Sequence, residues 1–184
     1  MRQSGKSFPA VFLDRDGVVN QALIHEGRPH SPRKVEDLII LEGVREAVSL
    51  LHENGFITAV VTNQPDISRG KLSFELLSEF HRFISLETGI QNFYVCHHDN
   101  NDGCECRKPS IGLIKRAAED LDVDISKSFM VGDRWKDIEA GQRAGCFCYF
   151  IDNEYSERRP TPPFHAVTSL LEASKIIVEG LNAE

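Results

Sequence analysis

Two aspartates stand close together at the end of the first apolar run of the sequence. Asp14 and Asp16 lie in the stretch FLDRDGVVN, and Gly17 directly after them permits a tight exit from a strand. If the strand continued through this point, the two carboxylates would project from the same side and repel each other. A bound divalent cation would offset that repulsion. The pair therefore predicts a cation site where the first strand ends.

Polar side chains with useful chemistry also follow later apolar runs. Five of them stand in the stretches VVTNQ, CRKPSIGL and VGDRWKD: Thr62, Asn63, Lys108, Asp133 and Asp137. Taken singly, each has a structural explanation as a turn residue, a helix cap or a solvated side chain. Open α/β sheets bind ligands at the carboxyl ends of their strands. Together with the pair Asp14 and Asp16, the hydroxyl of Thr62, the lysine Lys108 and the carboxylate of Asp133 therefore indicate one site at that edge, while Asp137 is interpreted as a helix cap.

This set of side chains suits the transfer of a phosphoryl group. One carboxylate can attack phosphorus to give an aspartyl-phosphate, while a second carboxyl protonates the leaving oxygen and later activates water. Mg²⁺ can neutralise the acids and the phosphate. Thr62 and Lys108 would then stabilise the charged oxygens of the group in transfer.

The elements that must position these residues can be predicted from hydrophobic patterning. Five apolar runs have the length of a strand: residues 10–13, 57–61, 93–95, 129–131 and 146–151. Residues 44–51 and 111–121 have helical spacing, and Leu170–Leu181 supplies a closing helix. The alternation predicts an α/β fold, with a doubly wound, mainly parallel sheet covered on both faces. Residues 21–36 and 155–163 have no clear period, and we interpret them as surface loops.

The totals predict one soluble domain that spans residues 1–184. The chain is 41% hydrophobic and 27% charged, as in ordinary globular proteins. Its 21 basic and 28 acidic residues give a net charge of −7, which argues against wide contact with nucleic acid or an anionic membrane. No stretch has the length of a membrane span, and the first apolar run is too short for a signal peptide. We therefore expect a cytoplasmic monomer without a large cap domain, which binds a small phosphorylated molecule in an open cleft.

Clustered cysteines in such a protein are read first as metal ligands. Four residues of the stretch CHHDNNDGCEC have metal-ligand spacing: Cys96, His98, Cys104 and Cys106. Three thiolates and an imidazole suit tetrahedral Zn²⁺, and a site with four protein ligands is structural. The alternatives are free thiols in a loop, or His97 as the imidazole ligand. Cys146 and Cys148 alternate in an expected strand and are interpreted as buried hydrophobes.

The motifs FLDRDG, VTNQ, CRKP and VGDRWKD, in this order, resemble those of the haloacid dehalogenase superfamily of phosphatases. Within it the chain is similar to the D-glycero-D-manno-heptose 1,7-bisphosphate phosphatase group, whose relatives include histidinol-phosphate phosphatase domains. The resemblance covers residues 8–151 and implies a Rossmann-like fold, Mg²⁺ and a zinc-binding loop. The zinc loop of that group favours His98 over His97.

The resemblance also implies roles for individual residues. Asp14 would be the nucleophile and Asp16 the acid and base. Asp14, the backbone carbonyl of Asp16 and Asp133 would hold Mg²⁺, while Thr62 and Lys108 would contact the phosphoryl group. Five residues within or beside the motifs are expected to contact the substrate: Arg15, Asn63, Gln64, Arg107 and Arg134.

Two departures bear on the substrate. Pro65 and Asp66 follow TNQ, where the group has a small residue and glycine, and residues 21–36 do not match the substrate-contacting residues of known members. The leading hypothesis is hydrolysis of the 7-phosphate of heptose 1,7-bisphosphate, with histidinol phosphate or another small sugar phosphate as the alternative. A phosphoacceptor signalling module is the alternative of another class, but such modules lack a second acid two residues after the first. A P-loop is excluded because PDISRGKLS lacks its first glycine and has leucine after the lysine.

Overall fold

The computed structural model of the protein describes residues 8–181. Within this range six parallel strands form the main sheet, and two further strands form a hairpin. The strands are β1 (Ala10–Leu13), β2 (Leu23–His25), β3 (Arg28–His30), β4 (Ile57–Asn63), β5 (Asn92–Cys96), β6 (Phe129–Gly132), β7 (Phe147–Ile151) and β8 (His165–Val167). The main sheet has the order β5-β4-β1-β6-β7-β8. The predicted parallel sheet is confirmed: β1 has the predicted bounds, β4 to β7 differ from the predicted runs by one or two residues, and β8 was not predicted.

Helices cover both faces of the sheet. They are α1 (Val44–Glu53), α2 (Phe74–Thr88), α3 (Gly112–Leu121), α4 (Trp135–Ala144) and α5 (Leu170–Leu181), and two short 3-10 helices span Val35–Asp37 and Ile125–Lys127. Helix α2 begins after Ser73, whose hydroxyl accepts a hydrogen bond from the Leu76 amide at 3.1 Å. It ends at Gly89, whose positive φ of 85° suits glycine. None of the helices described between residues 8 and 181 combines the length and apolar character of a membrane span.

The alternation of side chains along β1 separates two hydrophobic cores. Val11 and Leu13 pack with α1, α2 and α5 on one face, whereas Ala10 and Phe12 pack with α3 and α4 on the other. All four side chains are fully buried. A central strand covered on both faces reads as a continuous apolar run, which explains why this strand was predictable.

The strand order reverses beside β1, and this reversal forms the crevice in which the site lies. The chain passes from β1 to β4 and β5 on one side and then crosses to β6 on the other. Leu13 lies beside Val60 in β4 and Val131 in β6. The next polar residues of the three strands therefore emerge at one edge: Asp14, Thr62 and Asp133.

Residues 21–36 differ from the predicted surface loop. They contain the β2–β3 hairpin, closed by Glu26 and Gly27 with φ values of 50° and 71°, and the 3-10 helix Val35–Asp37. The hairpin strands have three residues each and are mostly exposed, so they carry no hydrophobic period. Residues 155–163 lack helix and strand, as predicted. The Ser156 amide donates to the Gly27 carbonyl at 2.8 Å, which holds this segment against the hairpin tip.

Candidate active site

Three buried carboxylates and one buried lysine meet at the end of β1. Asp14, Asp133 and Asp137 each offer an oxygen, and these atoms lie within 4.8 Å of one another. The Lys108 ammonium lies 2.8 Å from Asp14 Oδ1 and 2.6 Å from Asp137 Oδ1. Lys108 is 2% exposed, so the ion pairs are shielded from solvent. Residues far apart in the sequence therefore form one charged cluster.

The charge of this cluster is unbalanced, because one lysine faces three carboxylates. Burial raises the pKa of Asp14 to about 6; Lys108 opposes that rise, and Asp137 and Asp16 add to it. Burial, with the nearby Asp14 and Asp137, raises the pKa of Asp133 well above its ordinary value. Burial acts to lower the pKa of Lys108, but Asp137 and Asp14 more than offset it and raise that pKa. A further cation would stabilise the ionised carboxylates.

An unpaired oxygen supports the same conclusion. Asp133 is 2% exposed, and its Oδ1 is buried and has no hydrogen-bond partner among the described residues. Buried polar atoms are normally satisfied by protein or by a bound species. Three carboxylates with an unpaired oxygen provide the hard oxygen ligands that Mg²⁺ prefers. The residues present therefore fit the magnesium site that the sequence predicted.

Asp16 lies in a different environment from Asp14. Its carboxylate accepts hydrogen bonds from Arg15 at 2.9 Å, Asn20 at 2.9 Å, Gln64 at 2.8 Å and Ser31 at 2.8 Å. Burial acts to raise the pKa of Asp16, but the Arg15 guanidinium and these donors outweigh burial and lower it. The repulsion between the two acids is thus offset partly by Arg15. A bound metal cation is therefore needed only to balance the negative charge of the cluster around Asp14.

Several residues expected to contact the substrate form hydrogen bonds that support the site. Arg15 and Gln64 are fully buried, and both bind Asp16. Gln64 also donates to Thr62 Oγ1 at 2.9 Å, which links two functional side chains. The Asn63 amide donates to the Lys108 carbonyl at 3.1 Å and accepts from the Lys108 amide at 3.0 Å. These bonds fix the segment that carries Lys108 against the end of β4.

The cleft above the cluster opens towards a rim of cations. Asn63, Ser31 and Arg134 line the cleft beside the acidic cluster. An adjoining pocket is lined by four further cationic side chains, Arg28, Arg69, Arg107 and Lys136, together with His30 and with Asp66, which pairs with Arg69. Arg134 is bound by Glu157, with Nε 3.0 Å from Oε1. Basic side chains around an acidic centre suit a substrate with more than one anionic group.

The sequence interpretation missed the functional position of three residues. Asp137 was read as a helix cap, and its Oδ2 does accept from the Arg134 amide at 2.9 Å, but its other oxygen binds Lys108. Tyr155 and Asn153 bind the Asp133 carboxylate from the segment after β7. The spacing of Asp133 and Asp137 in the GDRWKD motif was a usable signal for the role of Asp137. The other two are placed only by tertiary contacts.

The four predicted zinc ligands also meet. The Cys104 sulfur lies 3.6 Å from that of Cys96 and 3.5 Å from that of Cys106. His98 Nδ1 lies 3.3 Å from the Cys106 sulfur, while the His97 ring packs against Phe74. The four potential ligand atoms lie within 4.8 Å of one another, a spacing suited to one tetrahedral ion. The structure thus brings His98, rather than His97, to the cysteines.

The chain is similar to known hydrolases in sequence and in structure. It is 38% identical over 155 residues to the D-glycero-beta-D-manno-heptose-1,7-bisphosphate 7-phosphatase of Vibrio cholerae serotype O1, an alignment that covers 74% of this chain and 77% of that protein. The enzyme of the same name from Escherichia coli K12 is 34% identical over 151 residues, which cover 76% of each chain.

A solved structure shares the fold. The crystal structure of D,D-heptose 1,7-bisphosphate phosphatase from B. bronchiseptica, complexed with magnesium and phosphate, superimposes with a TM-score of 0.79 at 26% identity. The superposition covers 94% of this chain and 99% of that one. Residues 12–145 match the family of haloacid dehalogenase-like hydrolases, a range that begins in β1 and ends after α4. The chain therefore belongs to the haloacid dehalogenase-like hydrolase family.

Proposed function

We propose that the protein is a Mg²⁺-dependent phosphatase that removes the 7-phosphate of D-glycero-D-manno-heptose 1,7-bisphosphate. The observation that carries this proposal is the buried Asp14, held by Lys108 beside Asp133 at the strand-order reversal. The relatives named for this reaction support the choice of substrate. The solved relative that holds magnesium and phosphate supports the choice of metal.

Magnesium would be held by side chains of the acidic cluster. Asp14 and Asp133 are the ligands proposed from the motifs, together with the backbone carbonyl of Asp16. Asp137 completes the cluster and also fixes Lys108. A magnesium ion bound there would neutralise negative charge on the carboxylates and on the phosphoryl oxygens.

The side chains of this chain would carry out the reaction in two steps. In the first, an Asp14 oxygen forms a bond to phosphorus while the bond from phosphorus to the sugar oxygen breaks, and Asp16 gives its proton to that oxygen. In the second, Asp16 takes a proton from water, whose oxygen attacks phosphorus and releases phosphate from Asp14. Lys108 and Thr62 would stabilise the phosphoryl oxygens in both steps. The anionic substrate would raise the pKa of Asp16, as a proton donor requires.

The cysteine and histidine cluster would hold a structural zinc ion. It lies in the loop between β5 and α3, which also carries Arg107 and Lys108. Arg107 is anchored to this loop, because its guanidinium donates to the His98 carbonyl at 3.1 Å and to Asn100 Oδ1 at 3.0 Å. Zinc would therefore order a segment that supplies two cations to the cleft.

The substrate proposal can be tested by measuring phosphate release from three compounds side by side. Heptose 1,7-bisphosphate should release one phosphate per molecule and leave the 1-phosphate, because the cationic rim favours a second anionic group. Histidinol phosphate carries an ammonium group, so the same rim should disfavour it. Heptose 1-phosphate should remain intact, and omission of Mg²⁺ should stop all turnover. Faster hydrolysis of histidinol phosphate than of the bisphosphate would contradict the assignment.

Magnesium affinity is expected to fall as the pH is lowered from about 7.5 to about 5.5, since protons compete with the metal for raised-pKa carboxylates. Burial raises the pKa of Asp14 to about 6, so its carboxyl changes from mostly ionised to mostly protonated over this range. Asp14 alone then predicts a loss of affinity of about fourfold, and Asp133 adds to it. Calorimetric titration with Mg²⁺ of protein that is free of Mg²⁺ and retains its zinc measures the change at both pH values. An affinity that stays constant or rises would contradict the acidic site.

A further inference from the structure

The Asp133 carboxylate is held on one side by two donors from the segment after β7. The Tyr155 hydroxyl donates to Asp133 Oδ2 at 2.6 Å, and the Asn153 amide donates to the same oxygen at 3.3 Å. Asp133 Oδ1 has no hydrogen-bond partner among the described residues. The two oxygens therefore differ: one is fixed by the protein and the other is left for a cation.

The Tyr155 hydroxyl is itself oriented by its neighbours. Asn153 Nδ2 lies 3.1 Å from the Tyr155 oxygen and 3.2 Å from the Gly17 carbonyl, and its two hydrogens are shared among these two acceptors and Asp133 Oδ2. With its oxygen accepting from Asn153, the Tyr155 hydroxyl donates its proton to Asp133. The bond thus has one direction, from tyrosine to carboxylate.

The backbone at Gly17 leaves space for this contact. A Cβ atom at Gly17 would lie 1.8 Å from Asp133 Oδ2 and 2.7 Å from the Tyr155 oxygen, and the residue has a φ of 92°. Only glycine suits both the conformation and the close approach. The glycine after the acidic pair therefore also makes room for the bond between Tyr155 and Asp133.

Tyr155 lies beyond residues 12–145, the range that matches the hydrolase family. Its segment is held in place independently, because the Ser156 amide binds the Gly27 carbonyl and Glu157 binds Arg134. These two contacts, made directly after Tyr155 in the chain, fix the backbone that presents Tyr155 to the acidic cluster. The hydrogen bond from Tyr155 therefore supports Asp133 from a segment outside the range that matches the family.

We propose that Tyr155 is a positioning residue for metal binding, whose hydroxyl fixes the Asp133 carboxylate in the orientation that a divalent cation requires. The inference rests on the proposed function, because it assumes that the acidic cluster holds magnesium. Hydrogen-bond partners that orient a metal ligand typically contribute about 10- to 100-fold to metal affinity. Tyr155 acts through Asp133 and has no proposed contact with the reacting atoms.

The test is direct metal binding to Tyr155→Phe, which removes the hydroxyl and keeps the ring. Mn²⁺ serves as the probe, and the free ion is counted by electron paramagnetic resonance in titrations of protein that has been freed of Mg²⁺ and retains its zinc. We expect the dissociation constant to rise about 10-fold, and the Mg²⁺ concentration that gives half-maximal turnover to rise by a similar factor. At saturating Mg²⁺ the kcat should return to within about threefold of wild type, since the reacting side chains are unchanged.

Tyr149→Phe is the matched control. Tyr149 is buried in β7, and its ring lines a groove together with Phe129 and Phe147. These two residues begin β6 and β7, so the groove lies at the opposite edge of the sheet from the acidic cluster. This variant should bind Mn²⁺ like the wild type. Equal Mn²⁺ affinity in Tyr155→Phe and wild type would overturn the inference, as would a loss of kcat that saturating Mg²⁺ does not restore. Wild-type protein that binds no Mn²⁺ would instead overturn the proposed magnesium site.

Discussion

Replacement of Asp14 by asparagine is expected to reduce phosphate release by about 1,000-fold or more, because the amide cannot form the aspartyl-phosphate. Asp14 is the carboxylate that Lys108 contacts, and it lies with Asp133 and Asp137 in one cluster. The measurement is release of inorganic phosphate from heptose 1,7-bisphosphate at saturating Mg²⁺. Asp120→Asn is the control, since Asp120 is exposed on α3, where it pairs with Arg116. Turnover of Asp14→Asn at the wild-type rate would exclude Asp14 as the nucleophile.

The same variant should fold, and without metal it should gain stability relative to wild type as the pH rises. Burial raises the folded-state pKa of Asp14 to about 6, above the ordinary value of 3.8. A raised folded pKa gives stability that is fully present below the unfolded pKa and lost as the pH rises through the folded value. Asparagine does not titrate, so Asp14→Asn escapes that loss. The difference in melting temperature between variant and wild type, both free of Mg²⁺ and with their zinc retained, should increase from about pH 4 to about pH 7.

The main sheet could be predicted because its strands bury both faces. Residues 10–13 and 129–131 form uninterrupted apolar runs, and the structure places them side by side as β1 and β6. The helices could be predicted where one face is apolar, as in α1 and α3. The β2–β3 hairpin could not, since Leu23 and Ile24 are exposed and three residues are too few to show a period. A hydrophobic pattern arises in the sequence where side chains are buried, and few side chains of the hairpin are buried.

Some residues of the site could likewise be predicted from the sequence, and others could not. Asp14, Thr62 and Asp133 could be predicted to meet because each stands where an apolar run ends and parallel strands bring these ends together, whereas Lys108 lies in the loop between β5 and α3 and was predicted from its motif. The inward positions of Arg15 and Gln64 were not found, because a charged or amide side chain in a motif gives no sign of burial. The contact of Tyr155 with Asp133 joins positions 22 residues apart through the packing of a loop. Such a contact depends on the assembled fold and leaves no periodic trace in the sequence.

Replacement of Cys104 by serine is expected to remove zinc and to lower the free energy of unfolding by on the order of 3 kcal/mol. The Cys104 sulfur lies 3.6 Å from the Cys96 sulfur and 3.5 Å from the Cys106 sulfur, so it is central to the cluster. A loss of this size lowers the melting temperature by roughly 10 °C in a chain of this length. Metal content by inductively coupled plasma mass spectrometry and thermal unfolding measure the two effects.

Activity should fall with the zinc, because the loop holds two cations of the cleft. Arg107 donates to the His98 carbonyl, and Lys108 follows it directly, so a disordered loop would misplace both. We expect kcat/KM to decrease about 10- to 100-fold. Cys146→Ser is the matched control: Cys146 lies outside the cluster and packs against the hydrophobic core, so this variant should keep its zinc and its rate. If Cys104→Ser bound zinc at the wild-type stoichiometry, or melted at the wild-type temperature, the assignment of the cysteine loop as a structural zinc site would be wrong. The loop then could not be what orders Arg107 and Lys108, and their alignment would depend on the bonds between Asn63 and the Lys108 backbone alone.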